Sequence, residues 1–106
     1  MSKSSTTTNG PVNRLPPVHP GEVLREELKE RGLTASALSR ALDVPVTRVT
    51  DVLNGRRGVT ADTALRLARF FGGSPQFWLN LQQSHDLKVA EAKAGDVIRK
   101  RVRPAA

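Results

Sequence analysis

Short side chains and hydrogen-bonding side chains lie together directly after Pro45. In order along the chain they are Val46, Thr47, Arg48, Thr50 and Asp51. Their groups are mixed in chemistry and small enough to approach the donors and acceptors on the edges of base pairs. If these residues form the outer face of a helix, the face suits contact with bases in the major groove of DNA.

A basic loop follows this stretch. Asn54, Gly55, Arg56, Arg57 and Gly58 are consecutive. The glycines allow a close backbone approach, and asparagine accepts left-handed geometry. Directly after a helix of the kind just described, we expect the two arginines to lie near a phosphate strand. An ordinary solvated surface turn is the alternative interpretation.

The residues after Pro45 and the basic loop are positioned by residues 34–54. The pattern of residues 34–54 predicts two short amphipathic helices. Apolar residues recur at i, i+3 and i+4 in each half. Asp43-Val44-Pro45 separates the halves: aspartate tolerates positive φ, valine is an apolar plug, and proline suits the first turn of a new helix. Two helices joined this tightly cross steeply around one small core, which is the helix-turn-helix arrangement.

Three more helices are predicted around this pair. His19-Pro20-Gly21-Glu22 begins the first helix and Gly32 ends it, and Thr34 caps the second. Thr60 begins the fourth, which stops at Gly72-Gly73. Its buried face is expected to contain Ala64, Leu67, Ala68 and Phe71, with Leu65 alongside. Ser74-Pro75 begins the fifth, which continues to Ala94 with Gly95 as its end.

The predicted fold class is therefore all-α, with five helices and three segments. Residues 1–18 form a disordered N-terminal arm, residues 19–94 the helix-turn-helix domain, and residues 95–106 a basic C-terminal tail. A frayed tail is the default for the last segment. A strand added to a partner's sheet edge and a nucleic-acid contact are the alternatives.

Phe77, Trp78 and Leu81 form a dense apolar patch in the fifth helix. Core packing is the simplest assignment for them. These are the bulkiest side chains of a small protein, however, and four preceding helices already offer a core. We therefore predict that part of this face closes a two-fold dimer.

Composition limits which partners, cofactors and activities are expected. The chain has 106 residues, no cysteine and a formal net charge of +7, and it shows neither a signal peptide nor a long apolar run. We expect a soluble cytoplasmic protein with no membrane association. Its basic balance favours a polyanion such as nucleic acid. His19 and His85 are its only histidines, so we expect no metal site, no cofactor and no enzymatic activity.

Longer motifs resemble one known family. Residues 38–52 are similar to the helix-turn-helix of lambda-repressor-like, Cro/C1-type DNA-binding domains. HPGEVLREEL, VLNGRRGVTADTALRLARFFGGSPQFWLNLQ and HDL resemble the HigA antitoxins of HigB–HigA toxin–antitoxin modules. The resemblance covers roughly residues 18–90. It implies a five-helix lambda-repressor-like domain, a homodimer, binding of double-stranded operator DNA at the module's own promoter, repression, and neutralisation of a HigB-type ribonuclease toxin.

The resemblance also implies residue roles. Val46, Thr47 and Asp51 fall where the family contacts base edges, and Arg48 on the adjoining surface. Ala35 falls where many relatives have a glutamine at the start of the second helix. The whole predicted DNA-binding set is Thr34, Ala35, Pro45, Val46, Thr47, Arg48, Thr50, Asp51, Asn54, Arg56 and Arg57.

Two of these residues depart from the family pattern. Ala35 has no hydrogen-bonding group, and Asp51 is acidic where relatives often carry Arg or Gln. A carboxylate in the major groove needs a cytosine amino group or an ion pair with Arg48. Two alternative functions therefore stay open: a stand-alone Cro/C1-type regulator without a toxin partner, and chiefly a protein inhibitor with weak DNA binding.

Overall fold

The computed structural model describes residues 17–105 and consists there of five helices: α1 Pro20–Arg31, α2 Ala35–Leu42, α3 Val46–Leu53, α4 Ala61–Phe71 and α5 Pro75–Arg101. The described chain divides into a compact unit of residues 18–85 and the residues from Asp86 onward. The predicted all-α class with five helices is confirmed. The predicted arm at residues 1–18 lies outside the described residues, apart from its last two.

Polar caps begin the first, second and fourth helices at the predicted residues. His19 Nδ1 accepts from the backbone N–H of Gly21 at 2.9 Å, and Glu22 accepts from the backbone N–H of His19 at 3.1 Å. Thr34 and Thr60 accept in the same way from residues three positions later. Each cap satisfies backbone donors that have no partner within the helix, which fixes where the helix starts.

Ten buried apolar residues form the core of the 18–85 unit: Leu24, Leu28, Leu38, Leu42, Val49, Val52, Val59, Ala64, Leu67 and Trp78. All five helices or their connections contribute to this list. Within α4, the predicted burial of Ala64, Leu67 and Ala68 is confirmed, whereas Leu65 is 60% exposed. Leu65 follows Ala64 by one residue, and this rotation of about 100° carries its side chain out of the apolar stripe.

The first turn of α1 packs directly against the end of α3. A Cβ atom on Gly21 would overlap the backbone carbonyl of Val52, so only glycine fits at this contact. Arg25 then donates from Nη2 to the carbonyl oxygen of Leu53 at 3.1 Å and to Oδ1 of Asn54 at 3.3 Å. These contacts occupy acceptors that the last turn of α3 leaves unpaired, and they hold α3 in place.

The helix end predicted at Gly95 is wrong, because α5 continues to Arg101. Gly95 keeps a helical backbone rather than the positive φ of a helix-ending glycine. A glycine inside a helix costs only about 1 kcal/mol, and the neighbouring alanines and charged residues favour helix. Arg99 also pairs with Glu91 across this point at 2.7 Å and with Asp96 beyond it at 2.8 Å. The division of the chain at residue 94 stays a prediction.

Candidate nucleic-acid interface

The connection between α2 and α3 sets the direction of α3. Asp43 adopts φ 59° and ψ 50°, the left-handed geometry expected for it, and its backbone N–H donates to Arg40. Val44 is partly buried against the core, as predicted for an apolar plug. Pro45 is the N-cap of α3 rather than its first helical residue, a difference of one position. This tight turn buries Val49 and Val52 and leaves the opposite face of α3 outside.

The eleven predicted DNA-binding residues differ in exposure. Exposed are Thr34, Pro45, Val46, Thr47, Asn54, Arg56 and Arg57, and half-buried are Ala35, Arg48, Thr50 and Asp51. Val46 and Thr47 are side by side on the first turn of α3, and Val46 is 41% exposed. The predicted set therefore lies on α3 and at the ends of α2 and α3, with the charged residues of α3 half-buried and the two arginines of the loop exposed.

Arg48 is held by α4. Its Nη1 donates to Asp62 Oδ2 at 2.6 Å, and Arg66 donates to the same carboxylate at 2.9 Å. These two hydrogen bonds, the one from Arg66 first, lower the pKa of the Asp62 carboxyl below its ordinary value. The carboxylate therefore stays ionised well into the acidic range.

Arg66 extends this network to the turn. Its Nη1 donates to the carbonyl oxygen of Leu42 at 2.8 Å and to that of Asp43 at 3.3 Å. The Asp62–Arg66 pair thus joins the end of α2 to the middle of α3. Neither Asp62 nor Arg66 is among the interface residues that the sequence predicts. Their i, i+4 spacing with opposite charge was the available signal.

Asp51 pairs with the basic loop and not with Arg48. Its carboxylate lies 3.6 Å from Arg56 Nη1 and 3.8 Å from Arg57 Nη2. Its backbone carbonyl also accepts from the N–H groups of Arg56 and Arg57, at 2.8 and 3.1 Å. The suggestion that Asp51 pairs with Arg48 is wrong, because Arg48 is hydrogen-bonded to Asp62. The loop instead folds back onto the last turn of α3.

Gln82 supports the loop from α5, a contact that the sequence did not predict. Its Oε1 accepts from the backbone N–H of Val59 at 2.7 Å. The same side chain covers Gly58, where a Cβ atom would lie 3.0 Å from it. Glycine at this position therefore lets α5 approach the backbone between α3 and α4.

The predicted dimer residues separate into two kinds. Trp78 is only 3% exposed and belongs to the core, whereas Phe77 is 50% exposed and Leu81 is partly buried against the core. The assignment of Trp78 to a dimer surface is wrong. The four preceding helices do not close the core without it, and its ring packs near those of Phe71 and Phe77.

The histidines have structural contacts. The His19 and His85 rings meet edge to face with centroids 5.0 Å apart, and His19 caps α1 as predicted. Within residues 17–105, no group of three or more His, Cys, Asp or Glu residues is placed to hold a metal ion. Over the same range, no helix has the length and apolar character needed to cross a membrane.

These features define a helix-turn-helix protein of the all-α class, with an exposed α3 followed by a basic loop. A helix-turn-helix family model matches residues 24–78. Virulence-associated protein I of Dichelobacter nodosus is 56% identical over 80 residues, covering 74% of each chain.

Solved structures narrow the family. A HigA-family addiction module antidote protein from Coxiella burnetii matches with a TM-score of 0.82 and 53% identity, over 85% of this chain and 99% of that one. The Pseudomonas aeruginosa antitoxin HigA, solved with the higBA promoter, matches with a TM-score of 0.82 and 44% identity over the same shares. The chain belongs to the HigA antitoxins of the helix-turn-helix family.

Proposed function

We propose that this protein is a DNA-binding antitoxin that represses its own promoter by placing α3 in the major groove of an operator. The observation that carries the proposal is the outward face of α3, with Val46 and Thr47 exposed and the arginines of the loop beside it. Relatives support it, since HigA of Pseudomonas aeruginosa is solved with the higBA promoter and antitoxin GraA with its operator. We assign no catalytic step to the chain.

Each predicted contact has a role in this proposal. Val46, Thr47 and Thr50 approach base edges, and Arg56 and Arg57 contact phosphates. Thr34, Ala35, Pro45 and Asn54 lie at the ends of α2 and α3, where a duplex backbone passes a helix-turn-helix. Arg48 and Asp51 border the reading face while remaining paired within the protein.

We propose a homodimer that binds an inverted repeat. Phe77 offers an aromatic ring that is 50% exposed, and Leu81 lies on the same side of α5, one helical turn further on. A dimer places two copies of α3 about one turn of DNA apart.

Binding of the full chain to its own promoter fragment tests the proposal. We expect binding at least 10³-fold tighter than to a shuffled fragment at equal salt. Footprinting should reveal two half-sites whose centres are about 10 base pairs apart, or a multiple of that spacing. Equal affinity for both fragments, measured by fluorescence anisotropy, would contradict operator recognition.

We also propose that the chain neutralises a HigB-type ribonuclease, with the acidic face of α1 as the contact surface. Glu26 and Glu30 are exposed one turn apart on α1, in the segment 20–33 whose net charge is −1. A ribonuclease that binds RNA is expected to be basic, so opposite charge favours this surface over α3 and its loop.

Replacing Glu26 and Glu30 together with glutamine is expected to slow association with the toxin from the neighbouring gene several-fold, most strongly at low salt. Promoter binding should not weaken. Glu91→Gln with Asp96→Asn removes the same charge from α5 and serves as the matched control. Surface plasmon resonance measures both rates. Equal slowing by the two double variants would reject α1 as the contact surface, and a neighbouring product that does not bind would favour a stand-alone regulator.

A further inference from the structure

The only positively charged side chain of α3 is turned away from its reading face. Arg48 donates to Asp62 at 2.6 Å, and its side chain is only 29% exposed. Asp62 is itself fixed by Arg66, which also binds the carbonyl oxygens of Leu42 and Asp43. Arg48 therefore belongs to a network that reaches from α3 through α4 to the turn.

The hydrogen bond between Arg48 and Asp62 affects which base contacts α3 can make. The commonest specific contact in the major groove is an arginine that donates two hydrogen bonds to guanine O6 and N7. The short, charge-assisted hydrogen bond from Nη1 to Asp62 instead holds the Arg48 guanidinium towards α4. Asp51, the other charged residue of α3, is an acceptor only and lies beside Arg56 and Arg57.

The groups that remain on the outer face of α3 are neutral. Val46 is 41% exposed and ends in two methyl groups. Thr47 is exposed and carries one methyl and one hydroxyl, while the hydroxyl of Thr50 donates back to the carbonyl oxygen of Thr47 at 3.3 Å. Among the features of the major groove, methyl groups of this kind match only the C5-methyl of thymine.

We propose that α3 recognises its operator through thymine methyl groups contacted by Val46 and Thr47, and that Arg48 does not read guanine. The inference rests on the proposed operator binding and adds the class of base pair that α3 selects. Half-sites then carry A·T pairs opposite the first turn of α3. Affinity comes from phosphate contacts, and sequence preference comes from apolar ones.

Deoxyuridine substitution tests the inference, because it removes only the C5-methyl of a chosen thymine. Each thymine of the footprinted promoter fragment is replaced in turn, and binding of the full chain is measured. At one or two thymines per half-site, we expect the substitution to lower the affinity for DNA about three- to fourfold, which is the effect of one buried methyl group. Val46→Ala or Thr47→Ser should remove the penalty at one such thymine. Leu65→Ala, an equally apolar change on the exposed side of α4, should leave it intact.

Replacing each guanine of the fragment by 7-deazaguanine tests whether Arg48 reads guanine, because it deletes the N7 acceptor that an arginine would use. We expect no loss of binding affinity at any guanine. A penalty that disappears in Arg48→Ala would overturn the inference, since it would show that Arg48 leaves Asp62 to read guanine. Insensitivity to deoxyuridine at every thymine would overturn it as well. A wild-type chain that does not prefer its promoter fragment would instead reject the proposed function.

Discussion

Replacement of Trp78 by alanine is expected to lower the free energy of unfolding by about 3–5 kcal/mol, because it empties a large site in a small core. Trp78 is 3% exposed and joins the core residues of α1 to α4. For a domain of this size the loss corresponds to a fall in Tm of roughly 12 °C or more. Urea and thermal unfolding, followed by circular dichroism, measure the effect.

Phe77→Ala is the matched control, since Phe77 precedes Trp78 and is 50% exposed. Its ring meets that of Trp78 edge to face with centroids 5.2 Å apart, so we expect a loss of only about 1 kcal/mol. If Trp78→Ala does not fold, Trp78→Phe keeps most of the volume and should give a smaller, measurable loss. A loss of only about 1 kcal/mol for Trp78→Ala would show that Trp78 is not a core residue. A Tm of Phe77→Ala that depends less on protein concentration than the wild type would support the dimer face.

Trp78 illustrates one limit of the sequence. Helical periodicity correctly placed it on an apolar face of α5 together with Phe77 and Leu81. Periodicity does not say whether such a face meets the protein's own core or a second copy, because that depends on how much space the other helices leave. Trp78 is buried in the core and the adjacent Phe77 is half-exposed, so one apolar patch contains both a core residue and a surface residue.

Helix starts and turns were predicted well because their signals are local. His19, Thr34 and Thr60 cap helices as expected, and Asp43 takes the predicted left-handed geometry. The predicted end of α5 at Gly95 is wrong, because favourable neighbouring residues outweigh the cost of glycine. The helix stops instead shortly before Pro104, which disfavours helical geometry at the residue preceding it.

The charged contacts of the candidate interface were the least predictable part. Arg48 and Asp51 are close in sequence, and local spacing suggested that they pair. Arg48 binds Asp62 instead, 14 positions away. Only the packing of α4 beside the turn between α2 and α3 brings that carboxylate within reach. Periodicity correctly predicts that Val46 and Thr47 are exposed on α3. It predicts neither the half-burial of Arg48, Thr50 and Asp51 nor the partners of the charged residues.

Replacing Arg56 and Arg57 together with alanine is expected to weaken DNA binding for all sequences alike. The side chains are 67% and 48% exposed, and both follow directly from the last turn of α3. Each phosphate contact contributes about 0.9 to the slope of log K against log salt concentration. The double variant should therefore flatten the slope by roughly 1 to 2 units, while the preferred operator sequence stays the same.

The ion pairs of these arginines with Asp51 do not prevent phosphate binding. Exposed pairs of this kind are worth about 1 kcal/mol or less, and their N–O distances of 3.6 and 3.8 Å leave room for rearrangement. A guanidinium has five N–H donors, so one arginine can contact Asp51 and a phosphate at the same time. In the proposed complex, Asp51 holds the loop beside the duplex.

Lys29→Ala with Arg31→Ala provides the control, because it removes the same two charges from the last turn of α1. We expect it to leave the salt slope nearly unchanged, since the acidic segment 20–33 faces no phosphate in the proposed complex. Fluorescence anisotropy from 50 to 300 mM salt, with promoter and shuffled fragments, measures both slopes. If both double variants flatten the slope equally, net charge alone drives binding. If only Arg56 and Arg57 matter, the loop contacts phosphate and α3 is left to select the bases.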